Sequence, residues 1–238
     1  MVAVMSTGII SAQEADTVSS KYTLDEVVVS ATKTENTVRN IPTRINVLNT
    51  YQVRALPVQY TDEYLQYLPS VNVSRQFGIF SSKSTVTMRG LDGKEQGRVL
   101  VLVDGVPVNK ADGGSVNWNL ISNGEIARIE VVKGPGSSIY GGNAMGGAVN
   151  VITRKPQKKL SGQAGLEYGT YNTMGGKLLL SGRLNDSIDR GFYWDLNGRY
   201  LQSDGYITQS EADQAANPYI VKSNMKEWSG GAKLGYDF

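Results

Sequence analysis

The chain of 238 residues contains no cysteine and no histidine. Without cysteine it can close no disulfide of its own, give no thiolate to a metal and mount no thiol nucleophile. Without histidine, Ser-His-Asp and Cys-His catalysis and His-ligated zinc are closed to these residues. No catalytic residue, metal site or cofactor is therefore expected. Charge of either sign is not in excess: 24 Lys and Arg stand against 22 Asp and Glu, a net of +2. Nucleic-acid proteins usually carry a basic excess or patch, so no nucleic-acid partner is expected. No apolar run reaches the ~18 residues of a membrane helix. This leaves a membrane β-barrel open, because its strands alternate apolar and polar residues.

What the chain has is glycine, 27 in all. Gly134, Gly136, Gly141, Gly142, Gly146 and Gly147 crowd one loop between two β-prone runs, residues 126–132 and 148–153. A phosphate cradle of the G-x-x-x-x-G-K-[ST] type needs its lysine and hydroxyl. Gly136 and Gly141 have that spacing, but Gly142 and Asn143 follow. The G-x-G-x-x-G fingerprint fails as well, since Ile139 stands where its third glycine belongs. The plainer reading is that these glycines permit tight turns and close backbone approach.

The loop does not stand alone. Upstream lie Met88-Arg89-Gly90 and the run VLVLVDGVP over residues 99–107, with DEVVVSATK over residues 25–33. Together with IEVVKGP and SSIYGGNAMGGAVNVIT, in this order, the chain resembles the plug domain of a TonB-dependent outer-membrane receptor. The resemblance covers residues 25–155. It implies an α+β plug domain followed by the first antiparallel strands of a transmembrane β-barrel, here truncated.

Several residue roles follow from that resemblance. Asp25, Glu26, Val27, Val28, Val29, Ser30 and Ala31 would form the TonB box, a segment facing the periplasm that adds as a strand to TonB. Such β-augmentation draws affinity from main-chain hydrogen bonds and specificity from alternating side chains. Arg89 and Lys133 would gate the plug by pairing with carboxylates of the barrel wall. Gly90, Asp104, Gly105, Gly134, Pro135, Gly141, Gly142, Gly146 and Gly147 would shape plug turns. Substrate contacts are expected on three loops, at Phe77, Phe80, Lys94, Asn109, Lys110 and Trp118. The implied partners are the TonB energy-coupling complex, outer-membrane lipid and a small-molecule substrate such as a siderophore complex or cobalamin. A TonB-linked signal transducer and a non-transporting surface binding protein on a β-barrel are the alternatives.

The residues also predict an organisation. Residues 1–13 look like the tail of a secretory signal without its basic region. Residues 14–37 are polar and flexible around the box, 38–155 form the plug, and 156–238 give four barrel strands of an incomplete barrel. Within the plug, strands are expected at 44–48, 71–74, 85–88 and 100–103. A helix capped at Asn49 or Thr50 should run to Ala55, and a second, capped by Thr61, should span 62–68. Tyr64, Leu65 and Leu68 should share its core face. After Pro156 the period becomes two. Leu166 and Tyr168 oppose Glu167. Leu178 and Leu180 oppose Lys177 and Ser181, with Leu179 out of step. Trp194 and Leu196 oppose Asp195 and Asn197, and Trp228 and Leu234 oppose Ser229 and Lys233. Runs near 9–11 residues suit tilted membrane strands. A short turn at 185–190 and a long connection at 203–226 fit periplasmic and extracellular ends respectively.

Overall fold

The computed structural model describes residues 27–28, 36–37, 44–75, 84–91, 97–111, 113–184 and 190–237. The chain runs β1 (Val27–Val28), β2 (Asn36–Thr37), β3 (Arg44–Leu48), α1 (Thr50–Ala55), a 3-10 helix (Thr61–Tyr67), β4 (Val71–Arg75), β5 (Ser84–Met88), β6 (Val99–Val103) and β7 (Val106–Pro107). Two short 3-10 turns (Trp118–Leu120 and Asn123–Glu125) lead to β8 (Ile126–Lys133), α2 (Ser137–Tyr140) and β9 (Gly147–Thr153). The longer strands β10 (Ser161–Gly169), β11 (Thr173–Arg183), β12 (Gly191–Ser203) and β13 (Met225–Asp237) follow, with α3 (Glu211–Ala216) before the last. No helix among the described residues is long and apolar enough to cross a membrane.

The first part is an α+β domain around a five-stranded sheet ordered β3-β8-β9-β6-β7. β6 and β9 run parallel, and the other pairs are antiparallel. A separate hairpin joins β4 to β5. The unbroken apolar run of β6 follows from burial on both faces. Val99 and Val101 enter the main cluster with Leu65, Met88, Trp118, Ile129 and Val149. Leu100 and Leu102 enter a second cluster with Ala144 and Ala148. Asn49 caps α1 through bonds from the Tyr51 and Gln52 amides, and Gln52 Oε1 accepts from the Asn49 amide.

The second expected helix is a 3-10 helix and begins elsewhere. Tyr60 is its cap residue, and Glu63 Oε2 accepts from the Gln59 and Tyr60 amides. Thr61 instead donates its hydroxyl to the Ile121 carbonyl at 2.7 Å. A hydroxyl that close to a free carbonyl of another segment has a better partner than its own helix, so tertiary contact overrides the local capping signal. Tyr64, Leu65 and Leu68 are buried as expected.

The long strands form one antiparallel sheet, β10-β11-β12-β13. Each exceeds or matches its expected span, because in-register pairing extends past the apolar pattern: β12 and β13 pair from Gly191↔Asp237 to Ser203↔Met225. Their alternation resolves into two faces. Leu166, Tyr168, Leu178, Leu196, Trp228 and Leu234 are exposed on one. Tyr193, Asp195, Leu201 and Ser203 are buried on the other, the face that meets the α+β domain through Arg199, Glu227 and Lys233. Leu179 also turns inward, beside Gly124, which explains its break in the pattern.

Of the loop glycines, Gly147 is the most constrained. Its φ is +147°, and a Cβ there would strike the Val132 carbonyl oxygen and lie 2.8 Å from the Met88 sulfur. It is the point where β9 leaves the loop and pairs with both β6 and β8. Gly147→Ala is expected to lower stability by roughly 2–4 kcal/mol, since strain and overpacking add. Denaturant unfolding of the wild type and variant, followed by tryptophan fluorescence, checks this.

Candidate functional site at the seam between domain and sheet

The α+β domain meets the four-stranded sheet through polar side chains. Tyr60, 2% exposed, carries two guanidinium groups over its ring, Arg75 at 4.3 Å and Arg199 at 4.8 Å from the ring centroid. Cations placed over an aromatic ring are attracted by its quadrupole. Arg75 is in turn held by the fully buried Asp62, and Arg199 lies 3.3 Å from Glu167. The run Asp62–Arg75–Tyr60–Arg199–Glu167 thus links the domain to β12 and β10 through two arginine–carboxylate pairs that meet at one aromatic ring. Buried charges are tolerable when paired in this way. Burial is also the largest influence on the Tyr60 hydroxyl and pushes its pKa up, although both arginines oppose it.

Further along, Asn119 Nδ2 donates to Glu227 Oε2 at 2.6 Å, tying the first 3-10 turn to β13. At the other end of the sheet, Lys233 Nζ donates to Asp104 Oδ2 at 2.5 Å and to Thr153 Oγ1 at 2.6 Å. The Thr153 hydroxyl and amide donate to the same carboxylate at 2.7 and 2.8 Å. Lys155 and Arg183 both bond Asp237 where the domain hands the chain to β10. A cavity lies along the seam, lined by Tyr60, Trp118, Ile121, Leu179, Asn197 and Arg199, among others. Tyr60 Oη, Trp118 Nε1 and Asn119 Oδ1 have no protein hydrogen-bond partner beside it.

A domain whose charged edge is seated on the polar face of a sheet, while that sheet turns an apolar face outward, is the layout of a plugged membrane barrel. Residues 37–148 match the family described as the TonB-dependent receptor plug domain. The chain belongs to the TonB-dependent receptors. It is 34% identical over 184 residues to the vitamin B12 transporter BtuB of Vibrio vulnificus strain YJ016, covering 77% of this chain and 29% of the transporter. The corresponding transporter of strain CMCP6 is 31% identical over 196 residues. The chain therefore spans under a third of these relatives' length. In fold it is similar to the siderophore receptor PirA from Acinetobacter baumannii, with a TM-score of 0.60 at 22% identity, covering 81% of this chain and 29% of that one. It is also similar to the receptor in the FpvAI–pyocin S2 complex, with a TM-score of 0.59 at 21% identity, covering 76% of this chain and 22% of that one.

The expected plug residues divide once placed. Val27 and Val28 of the box pair with Asn36 and Thr37 as a two-stranded ladder; the rest of the box lies outside the described residues, as do Phe77, Phe80 and Lys94. Arg89 has φ +55° and donates to the Lys133 carbonyl at 3.0 Å, stacked against Gly134. Lys133 is buried and donates to the Pro69 carbonyl. Burial, then Arg44 and Arg89, depress its pKa. Arg44, Arg89 and Lys133 share one pocket. Of the carboxylates on β10–β13, Glu167 engages Arg199, Glu227 engages Asn119, Asp237 engages Lys155 and Arg183, and Asp195 lies beside Glu125.

Two expected substrate contacts are committed to the fold instead. Trp118 is 1% exposed within the main cluster. The Asn109 amide accepts from the Val101 amide at 2.7 Å and donates to the Val99 and Gly114 carbonyls. It substitutes for a strand neighbour at the edge of β6, which a loop-like sequence does not reveal. Lys110 is exposed. The seam residues Tyr60, Arg199, Glu227 and Lys233 are not among the expected site residues, although period two places Lys233 on the polar face. Inward-facing charge at period two was the signal that could have found the last three.

Asp104 was expected only as a turn residue, yet it is the acceptor of the Lys233–Thr153 contact. Burial pushes its carboxyl pKa up, but the bonds from Lys233 and Thr153 win and hold it below the ordinary value. A lowered carboxyl stabilises the seam above its ordinary pKa and loses that contribution as pH falls through the lowered value. The pair is about one-third exposed, so the effect should be under about 1 kcal/mol. Asp104→Asn should flatten the acid side of the stability profile below pH ~4, measured by denaturant unfolding across pH.

Proposed function

We propose that this protein is an uptake receptor of the outer membrane, importing a scarce nutrient of the iron–siderophore or cobalamin class through TonB coupling. The observation carrying this reading is the separation of two kinds of contact. Among the described residues, the main apolar cluster of the plug draws its buried members from Leu48 to Val151 and takes none from β10–β13. The plug rests on those strands through Tyr60, Asn119, Asp104 and Thr153, by hydrogen bonds and charge. Water can replace such contacts at small net cost, because each lost bond is exchanged for another. A plug held this way can shift against its wall without dismantling its own core.

Each part then has a role. Leu166, Tyr168, Leu178, Leu196, Trp228 and Leu234 face membrane lipid. The turn at residues 170–172 and the connection at 204–224 share one end of the sheet, where the Asp204 amide donates to the Tyr171 carbonyl and Tyr171 stacks on Tyr206 at 5.1 Å. That end faces outward, and the Lys155–Asp237 end faces the periplasm. Substrate would settle on the outer side of the plug, near Lys110 and the loops that carry Phe77, Phe80 and Lys94. The box, 25–31, would add as a strand to TonB, and tension on it would move the plug. Arg89 and Lys133, with Arg44, supply a basic pocket for carboxylates of the wall. No bond in the substrate is made or broken.

Support for the substrate class comes from the relatives: a vitamin B12 transporter by sequence and siderophore receptors by fold. The coupling role is tested at the box. Val28→Pro removes a ladder donor, so energised uptake should fall by at least ~10-fold while substrate binding at the cell surface stays unchanged. The measurement is radiolabelled substrate binding and uptake in cells with and without an inner-membrane proton gradient. Unaltered uptake would remove the coupling assignment.

A further inference from the structure

One pair at the seam joins two groups of the same charge. Glu125, in the 3-10 turn before β8, reaches β12 and meets Asp195. Asp195 is 7% exposed, and its Oδ1 has no hydrogen-bond donor. Glu125 Oε1 is buried and also lacks one. Two ionised carboxylates only accept, so they cannot satisfy each other. A single proton between them turns that repulsion into a hydrogen bond, as when two carboxylates share a site. We propose that Glu125 and Asp195 share one proton across the plug–wall seam, so that the seating of the plug is tighter in acid than in alkali. The inference is independent of which nutrient is carried and rests only on the plug lying against β12.

The surroundings support this arrangement. β12 presents Asp195 and the Asn197 amide to Glu125, and β13 presents Lys233. Lys233 is occupied by Asp104 and Thr153. From the segment after β9, the Arg154 amide donates to the Glu125 backbone carbonyl at 2.7 Å, and the Arg154 guanidinium donates to the Ile126 carbonyl at 3.0 Å. Burial is the largest influence on Glu125, followed by the bond and charge of Asp195; these outweigh Asn197 and Lys233 and push its carboxyl pKa up to about 8. A raised carboxyl binds a proton when the plug seats and gives it up when the plug leaves. Seating therefore weakens as pH rises from the ordinary carboxyl value towards about 8, and changes no further above it.

The test uses the full-length protein in detergent, with Glu125→Gln and Asp195→Asn as variants of near-identical shape. Infrared spectroscopy should find a protonated carboxyl at pH 7 in the wild type, absent from both variants. Hydrogen exchange at residues 122–126, corrected for the intrinsic pH dependence of exchange, should report seam opening. Wild-type opening should increase roughly 10- to 100-fold from pH 5.5 to 7.5, the limit for one proton over two pH units. In Glu125→Gln it should be flat across that range. Should Glu125→Gln misfold, Asp195→Asn carries the same expectation from the other side of the seam. No protonated carboxyl at pH 7, or one that survives in both variants, overturns the proposal. A pH-dependent opening unchanged by either variant overturns it too. Neither result bears on the uptake reading, which the box substitution tests separately.

Discussion

The constraint on which this structure depends is the inward face of β10–β13. That face carries Glu167, Asp195, Arg199, Glu227, Lys233 and Asp237, on strands whose other face is apolar. A sheet of this kind cannot bury its inner face against an ordinary hydrophobic core, because unpaired buried charges are costly. It needs a partner with matched polar groups in fixed positions. The plug supplies them: the Tyr60 ring for Arg199, Asn119 for Glu227, and Asp104 with Thr153 for Lys233. The plug must in turn be rigid without help from the wall. Its five-stranded sheet, covered on both faces of β6, provides that rigidity.

This division of labour gives the Gly-rich loop its meaning. Gly147 lets β9 enter between β6 and β8 at a point where no side chain fits, and Gly134 lies directly beneath the Arg89 guanidinium. The loop that first resembles a phosphate cradle is therefore packing space for plug strands and for one basic group. The basic pocket of Arg44, Arg89 and Lys133 and the acidic meeting of Glu125 with Asp195 lie among different contacts.

Much of the fold was legible because it is written locally. β3 has the expected bounds, Asn49 caps α1, and period two separates Leu166 and Trp228 from Glu167 and Lys233. Leu179 was legible only as an irregularity; its reason, a neighbour at Gly124, lies across the seam. Thr61 and Trp118 were misread for the same physical cause. A hydroxyl before a helix and an aromatic in a loop both have local explanations, and distant contacts to Ile121 and the main cluster override them. The Tyr60 site could not be read at all, because Arg75 is near it in sequence and Arg199 is not. Motif order identified the family where spacing alone did not.

The central claim is that the plug sits on this face of these strands, held by polar contacts. These 238 residues contain no cysteine, so a thiol pair placed there meets no competing thiol within them. Asn119→Cys combined with Glu227→Cys, treated with a short thiol-to-thiol cross-linker in the full-length protein, is the most direct measurement. The account predicts an intramolecular link between the two positions, found by mass spectrometry of the digested protein and absent from either single variant. Two thiols that both react with a monofunctional maleimide, yet never join to each other, would contradict it.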